Sequence, residues 1–395
     1  MFHNLLMLIT LAAGLLIQPN SALAARKVDS STNKNVQDRV EFSGYLMLDH
    51  DYYGPFYAKS ANGYQHKNEI RRAKLGVSFK PNPLIKAKLQ LKYSQSFPAD
   101  GKLALGDALV RFNTGNDTGL QVGRMKQAIG LEYQSSSSQL IAIERSLPSS
   151  AFAPDRSFGI QLDQKKKHYT LAAGYFIERD SEHDLALSNF DLLKHQDKDI
   201  KAGTLRMTYL KSKNIAGKLH LGGTFSRRWL NGQKIQFKES GEIHSADSII
   251  RSARFYADHS NLYQLDMAWL SNKILIQGEV FVNRITAIDH QLWNFYGAYI
   301  QSSYLFSGEY QYKRGRIKSS QLNNNTLELV FRQSYLNLRD NSVGSQAAIS
   351  LIGLNLHISK SFKLMANISQ PWISGDTINT QQSGQAYSFR GQFNF

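Results

Sequence analysis

The stretch "RRAKLGVSFKPNPLIKAKLQLKY", Arg71 to Tyr93, carries the pattern that decides the fold. In both halves every second residue is apolar, and most of the residues between them are cationic or small. In the second half the apolar face consists of Ile85, Ala87, Leu89, Leu91 and Tyr93, and the opposite face of Lys86, Lys88, Gln90 and Lys92. Successive side chains of a β-strand point to opposite faces. The stretch therefore predicts two strands joined by a tight turn at "KPNP", each with one apolar and one cationic face.

Segments of about ten residues with this alternation recur along the chain, and after the N-terminal region no apolar run reaches the ~20 residues of a spanning helix. Tight turns join many of the segments. Long polar loops join the others, at Gly54 to Asn68, Arg179 to Asp199, Asn231 to Ser248 and Pro371 to Gly384. Short turns at one end and long loops at the other are typical of an all-β, transmembrane antiparallel β-barrel, here of about 16 strands. A soluble β-sandwich shares the alternation but not this asymmetry.

Both ends of the chain agree with export to the outer membrane. The first residues, "MFHNLLMLITLAAGLLIQPNSALAA", have an apolar core followed by a small-x-small site, which predicts a signal peptide over residues 1–24. A single-span anchor is the alternative, but the apolar core is short for one. Residues 25–40 are then a short periplasmic segment, and residues 41–395 form the barrel. The chain ends on "AYSFRGQFNF", an alternating strand whose last residue is the aromatic Phe395.

Composition sets further limits on the class of protein. The chain has 395 residues, no cysteine, and 47 Lys plus Arg against 31 Asp plus Glu, which gives a net charge of +16. Disulfides are thus excluded as a source of stability. The mean hydropathy of −0.38 argues against a helical membrane protein. The positive charge favours anionic partners, and export disfavours nucleic acid among them.

Several motifs, in the same order along the chain, resemble those of the phosphate-selective porins O and P of bacterial outer membranes. They are "EIRRAKLGV" (69–77), "GDALVRF" (106–112), "VGRMKQAIGLE" (122–132), "IERSLPSSAFAPDRSFGI" (143–160), "YLFSGEYQY" (304–312), "LELVFRQSYLNL" (327–338) and "IGLNLHISKSFKLMANIS" (352–369). The resemblance implies a homotrimer in which the loop after the fifth strand, here Gly123 to Arg156, folds into the barrel. Such a loop narrows a lumen that is otherwise too wide to discriminate small ions. This chain differs from the family in having Ala128-Ile129 before Gly130.

Cations on the lumen face and on the infolded loop are the candidate pore residues, because pores favour anions through rows of Arg or Lys. They are Arg72, Lys74, Lys86, Lys88, Lys92 and Arg111 on the strands, and Arg124, Lys126, Arg145 and Arg156 on the loop and its flanks. The alternative for Arg145 is a structural ion pair with Glu144 or with the wall. Alternation puts Arg71 on the apolar face, as a rim residue near lipid headgroups or loops.

The resulting hypothesis is a passive, anion-selective porin for phosphate or related oxyanions, without metal or other cofactor. Its expected partners are phosphate-like anions, outer-membrane lipid and lipopolysaccharide, and the barrel assembly machinery, which binds the C-terminal strand. Two alternatives remain open. One is a weakly selective general diffusion porin. The other is an outer-membrane enzyme or adhesin that uses the long loops, although His183, Asp184 and His220 show no catalytic spacing.

The motif "DHD" at Asp49 to Asp51 splits its side chains between two faces, which disfavours a metal site. The basic run "YKRGRIK", Tyr312 to Lys318, is predicted to be a solvated periplasmic connection.

Overall fold

A computed structural model describes residues 39–58, 63–96, 101–115, 117–178, 190–192, 199–212, 217–320, 325–376 and 383–395. The predicted signal peptide (1–24) lies outside the described residues, as does nearly all of the predicted periplasmic segment (25–40). His183 and Asp184 also lie outside them. Within the described part of the chain, no helix is long and apolar enough to cross a membrane.

The described strands are the following, in chain order. They are β1 (Val40–Tyr53), β2 (Gln65–Asn82), β3 (Ile85–Ser96), β4 (Lys102–Asn113), β5 (Thr118–Met125), β6 (Ser157–Lys165), β7 (Tyr169–Glu178), β8 (Phe190–Leu192), β9 (Ile200–Lys211), β10 (Lys218–Glu239), β11 (Ile250–Arg251), β12 (Phe255–Leu270), β13 (Ile274–Ala287), β14 (Leu292–Leu305), β15 (Glu309–Lys313), β16 (Arg316–Ser320), β17 (Thr326–Asn337), β18 (Ser345–His357), β19 (Phe362–Gly375) and β20 (Ala386–Asn394).

Among the described strands, all but β8, β11, β15 and β16 form a closed antiparallel barrel of 16 strands, as predicted. The last strand, β20, pairs with β1 from Tyr45↔Asn394 to Tyr53↔Ala386, so the sheet has no free edge. In a bilayer this closure satisfies the backbone groups that an open edge would leave without partners. At the seam, Phe395 and Gly44 exchange both backbone hydrogen bonds, at 3.0 and 3.1 Å.

Side chains that alternate between apolar and polar in the sequence point alternately to the outer side and the lumen side of the barrel wall. On β3, Leu89 is 51% exposed on the outer side whereas Gln90 is 4% exposed on the lumen side, which confirms the predicted register. The same rule places Asp49 and Asp51 of β1 in the lumen and His50 outside. The apolar outer face is the face that a bilayer covers, so exposing these apolar side chains carries no free-energy penalty there.

A β-bulge on β2 breaks the alternation at Arg71. Met47 pairs with Arg72 but Leu48 pairs with Ile70, so Arg71 is the extra residue. A bulge puts two consecutive side chains on nearly the same side of a strand. Arg71 and Arg72 therefore both face the lumen, and the prediction of Arg71 as a rim residue on the apolar face is wrong.

Two connections at the end with the long loops fold into the barrel. The first, residues 126–156 between β5 and β6 and here the constriction loop, contains the short helices α1 (Leu131–Gln134) and α2 (Leu147–Phe152). It begins after Met125 and not at Gly123 as predicted, because residues 123–125 still pair with β6. The second, residues 240–249 and here the inner loop, follows β10. Both pack on the wall through one apolar core, in which Phe152 contacts Phe237 and Phe281. The core fills the lumen on that side, so passage is displaced toward the wall formed by β1 to β6.

A third connection enters from the opposite end. Strands β15 and β16 form a hairpin that spans "YKRGRIK", and Tyr310 and Ile317 of this hairpin are buried in a cluster with Leu131 of α1. The prediction of a solvated connection holds for the cations of this segment, which are exposed, but not for Ile317, which alternates with them and packs on the cluster in the lumen. The hairpin thus supports the constriction loop from below.

Candidate functional site

The backbone of the constriction loop is attached to the wall at α1. The backbone N–H groups of Leu131 and Glu132 donate to the carboxylate of Glu279 on β13, at 3.1 and 2.6 Å. Gly130 has a φ of 59°, and a Cβ there would lie 2.5 Å from the same carboxylate. Only glycine combines this positive φ with so close an approach. The "GLE" motif is therefore a docking element.

Arg332 of β17 makes the second attachment. Its guanidinium donates to the carboxylates of Glu132 in the constriction loop and Glu242 in the inner loop, at 2.9 and 3.1 Å. It also donates to the side chain of Gln301 and to the carbonyl of Glu144. Burial raises the pKa of the Glu242 carboxyl even though the charge of Arg332 opposes the shift. One buried cation thus ties both infolded segments to the wall.

Glu144 fixes the far side of the loop. It accepts from Arg71 at 2.7 and 2.9 Å and from Arg390 of β20 at 2.7 Å, and Arg390 also binds Asp49 at 2.7 and 2.6 Å. Burial alone would raise the pKa of Glu144, but the charges and hydrogen bonds of the two guanidinium groups hold it well below its usual range. Glu144 is therefore a charged anchor, and Arg145 is left to other partners.

A cavity of about 110 Å³ lies between the constriction loop and the wall of β1 to β3. Its cationic lining consists of Arg71, Arg72, Lys74, Lys92, Lys126, Arg145 and Arg156, and its acidic lining of Glu144 and Asp155. The cavity holds a few water molecules or one small oxyanion, not a large solute. It shares Lys74, Lys126 and Arg156 with a wider vestibule of about 720 Å³ on the periplasmic side. The cavity and the vestibule therefore adjoin at these three side chains.

Within the described residues, four of the lining cations have no acidic partner. Arg72 donates to the hydroxyl of Ser137, and Lys74 lies 5.4 Å from the ring of Tyr45. Lys126 donates to the carbonyls of Tyr133 and Ser135 at 2.6 and 3.1 Å, and Arg145 donates to Ser135 at 3.1 Å. Neutral partners leave the positive potential of these groups uncancelled.

The surroundings of Lys126 and Arg145 affect how each side chain can bind an anion. Burial, together with the charges of Arg145 and Arg156, lowers the pKa of Lys126 well below its usual value, so its charge depends on pH. In Arg145, Nε is buried and has no hydrogen-bond partner in the described part of the chain. The predicted alternative, an ion pair of Arg145 with Glu144, is not formed, since Glu144 binds Arg71 and Arg390.

The other predicted cations are matched by acids. Lys88 and Arg156 both bind Asp107, the former at 2.7 Å, and Arg111 binds Asp163 at 2.6 and 2.8 Å. Lys92 lies 3.7 Å from Asp155, and Lys86 lies 3.9 Å from Glu41. Burial alone would raise the pKa of the Asp155 carboxyl, but the positive charges of Lys92 and Arg156 bring it below its usual value. These pairs line the path with charges that are already balanced.

Arg124 does not line either cavity. Its register partners are Ala108 and Phe158, and Phe158 is exposed on the outer face, so the alternation turns Arg124 outward. Its guanidinium reaches back to 3.8 Å from Asp155. Arg124 is thus a buried residue that lines neither cavity but lies close to Asp155, the acid that Lys92 and Arg156 also approach.

Sequence reasoning missed a further cation cluster at the hairpin. Arg206 of β9 lines the vestibule and binds Asp266 at 2.7 and 3.0 Å, and His220 lies between Asp266 (2.6 Å) and the hydroxyl of Tyr312 (2.8 Å). Arg206 alternates with Leu205 and Met207 in the sequence, so its face was readable. The partners of Arg206 are Thr224 on β10 and Gln264 and Asp266 on β12, and no local sequence pattern pairs these residues.

The sequence matches the profile of the phosphate-selective porin O and P family over residues 43–395. No curated protein matches the chain in sequence. Among solved structures, the fold is similar to an anion-selective porin from Comamonas acidovorans, with a TM-score of 0.55, 10% identity, and coverage of 90% of this chain and 99% of that chain. The trimer form of in-vitro folded OmpT from Vibrio cholerae gives the same four values. The outer membrane channel DcaP of Acinetobacter baumannii gives 0.55, 10%, 90% and 97%. At such low identity these likenesses show the fold alone.

Proposed function

The chain belongs to the phosphate-selective porin O and P family, and on that basis we propose that it is a passive, anion-selective channel for phosphate or related oxyanions. The family and the fold make it a porin of the bacterial outer membrane, and membership of a porin family supports a channel rather than an enzyme. The observation that supports anion selectivity is the set of four basic side chains around one small cavity that have no acidic partner in the part of the chain that the structure describes. They are Arg72, Lys74, Arg145 and, when protonated, Lys126.

The arrangement suits conduction better than tight binding. An oxyanion in the cavity takes hydrogen bonds from guanidinium groups in good geometry, while the lysines act as flexible, hydrated point charges. Beyond the cavity, the balanced pairs at Asp107 and Asp163 hold an ion less strongly. Conduction needs entry of the ion to be favourable and its release to stay possible. The unpaired cations of the cavity favour entry, and the balanced ion pairs beyond it allow release.

Membership of the family also suggests how the protein assembles and what it contacts in the membrane. We expect a homotrimer, as in the trimer form of OmpT. We also expect that the barrel assembly machinery recognises β20 with its terminal Phe395, and that outer-membrane lipid and lipopolysaccharide surround the wall. Phe395 and Gly44 close the seam of the barrel, so correct placement of the last residue is coupled to closure.

Single-channel recording with Arg145→Glu tests the proposed selectivity. A unit charge at about 4 Å contributes about 4 kcal/mol at an effective dielectric constant of about 20. Even after strong screening, the reversal should lower the anion-to-cation permeability ratio, measured as a reversal potential in unequal KCl, by about tenfold. Block of chloride current by added phosphate should weaken in parallel. Lys273→Glu, in an exposed turn, is the matched control.

The same recordings separate this proposal from a weakly selective diffusion pore. A wild-type channel with a permeability ratio near one, and no block by phosphate, would contradict anion selectivity. A selective channel in which Arg145→Glu changes conductance and trimer stability but leaves the ratio unchanged would remove Arg145 from the path of the ion.

A further inference from the structure

A row of polar side chains crosses the outer, lipid-facing side of the barrel. Arg227 of β10 pairs directly with Asn261 of β12, and Asn261 pairs with Arg284 of β13. All three lie on the outer face, since their neighbours along each strand point inward: Ser260 binds Asn283, and Leu262 and Ile285 belong to the inner core. Two guanidinium groups thus lie on the surface that lipid covers.

The row has unmet bonding capacity. Within the described residues, neither Arg227 nor Arg284 makes an ion pair. Arg227 Nε and Asn261 Oδ1 lack any hydrogen-bond partner in that part of the chain, but both atoms are inaccessible to water and therefore to a ligand. The guanidinium of Arg227 lies 5.7 Å from the ring of Trp229. Polar groups without partners are costly next to lipid. Because neither guanidinium has a counter-charge among the described residues, the row calls for a ligand that brings negative charge, and Arg284 is exposed to receive it.

Aromatic residues mark the depth of the row. Two residues farther toward the membrane centre, Phe225 and Tyr263 pair at 5.3 Å between ring centroids, and Tyr296 continues the same band. On the other side of the row, toward the long loops, Lys201 is exposed and Lys234 lies 5.3 Å from the ring of Tyr256. Aromatic girdles stand at the two interfaces of an outer-membrane barrel, so the row lies at the headgroup level of the outer leaflet.

We propose that Arg227, Asn261 and Arg284 form a binding site for the phosphorylated headgroup of an outer-leaflet glycolipid, that is, lipopolysaccharide. Guanidinium groups bind phosphate oxygens in bidentate geometry, and Lys201 and Lys234 add positive charge above. The acyl chains lie along the band of Phe225 and Tyr263. Free phosphate has no apolar part that could contact this aromatic band, so the band favours a lipid as the occupant. The site rests on the outer-membrane placement of the chain and is independent of the anion selectivity of the pore.

Lipid retention by the full mature protein tests this site. The protein is refolded in detergent, mixed with bisphosphorylated lipid A, with the same lipid after removal of its phosphates, or with inorganic phosphate, and analysed by native mass spectrometry and thermal unfolding. We expect the bisphosphorylated lipid alone to be retained and to raise the unfolding temperature. Arg227→Gln combined with Arg284→Gln should lower retention at least about tenfold, because each charge-assisted hydrogen bond is worth that much.

The matched control removes two outer cations from the opposite rim, by Lys211→Gln combined with Lys273→Gln, and should retain lipid like the wild type. Heat-modifiable mobility confirms that both double variants fold. Equal retention of the dephosphorylated lipid, or full retention by the Arg227/Arg284 variant, would overturn the site. Loss of trimers with unchanged lipid retention would instead make the row a contact between subunits. Reversal potentials of the variant should equal those of the wild type, so failure of the lipid site and failure of anion selectivity are separate results.

Discussion

Replacing Arg332 by methionine should both destabilise the barrel and release the constriction loop. The structure describes five hydrogen bonds donated by this guanidinium, to Gln301, Glu144, Glu242 and Glu132. The side chain of Arg332 is 0% exposed, and those of Glu132 and Glu242 are each 1% exposed. Removing one partner of such a buried set leaves carboxylates without a counter-charge and costs about 3 to 5 kcal/mol. Methionine keeps most of the volume, so little of the loss comes from a cavity.

The assay compares urea titrations of the folded barrel with single-channel conductance. Arg314→Met is the control, because its ion pair with Asp117 has side chains that are 53% and 39% exposed, and such pairs contribute at most about 1 kcal/mol. Arg332→Met should lower the urea midpoint well beyond the control and raise the conductance, since the loop loses its anchor on β17. Lowering the pH should reduce the difference from wild type, because Glu242, whose pKa burial already raises, becomes neutral and no longer needs the cation.

Two results would refute this reasoning. Equal midpoints for Arg332→Met and Arg314→Met would show that the buried network contributes no more than a surface pair. A strongly destabilised Arg332→Met channel with wild-type conductance would show that the loop stays in place through Glu279 and Glu144 alone.

Three further predictions test the wall, the seam and the charge of the constriction. Leu89→Arg, on the lipid face, should cost about 2 to 4 kcal/mol in folding titrations, whereas Gln90→Arg, on the lumen face, should be tolerated and shift ion selectivity; equal costs would mean that the register is off by one residue. Removal of Phe395 should reduce the amount of heat-modifiable trimer in the outer membrane far more than it alters the conductance of the channels that do assemble, and normal amounts of trimer would argue against its role at the seam. Because burial and neighbouring cations depress the pKa of Lys126, the amine gains its proton only as the pH falls through that lowered value, so anion preference should rise on acidification. Lys126→Arg, which stays charged, should abolish this step in reversal potentials measured against pH, and identical profiles for the two channels would exclude Lys126 as its source.

The sequence by itself determined the wall of the barrel and the position of the loop that narrows it. Alternation with a period of two is a local property, so it assigned Leu89 to lipid and Gln90 to the lumen without knowledge of any partner strand. The family motifs, which are also read from short stretches of sequence, identified the constriction loop. The alternation was wrong at Arg71, because a bulge depends on how β2 pairs with β1, and a single strand does not record that pairing.

Only the tertiary structure decided which cations are balanced. Arg332 and Glu132 are 200 positions apart in sequence and 2.9 Å apart in space. Glu144 binds Arg71 and Arg390, so Arg145 has no acidic partner among the residues that the structure describes. Ten cations that look equivalent in the sequence thus separate into four around the cavity that have no acidic partner among the described residues, and six that lie close to an acid, of which Arg124 lines neither cavity. The physical reason is that the potential at any point depends on the nearest charges in space, and closure of the barrel brings together residues from opposite ends of the chain.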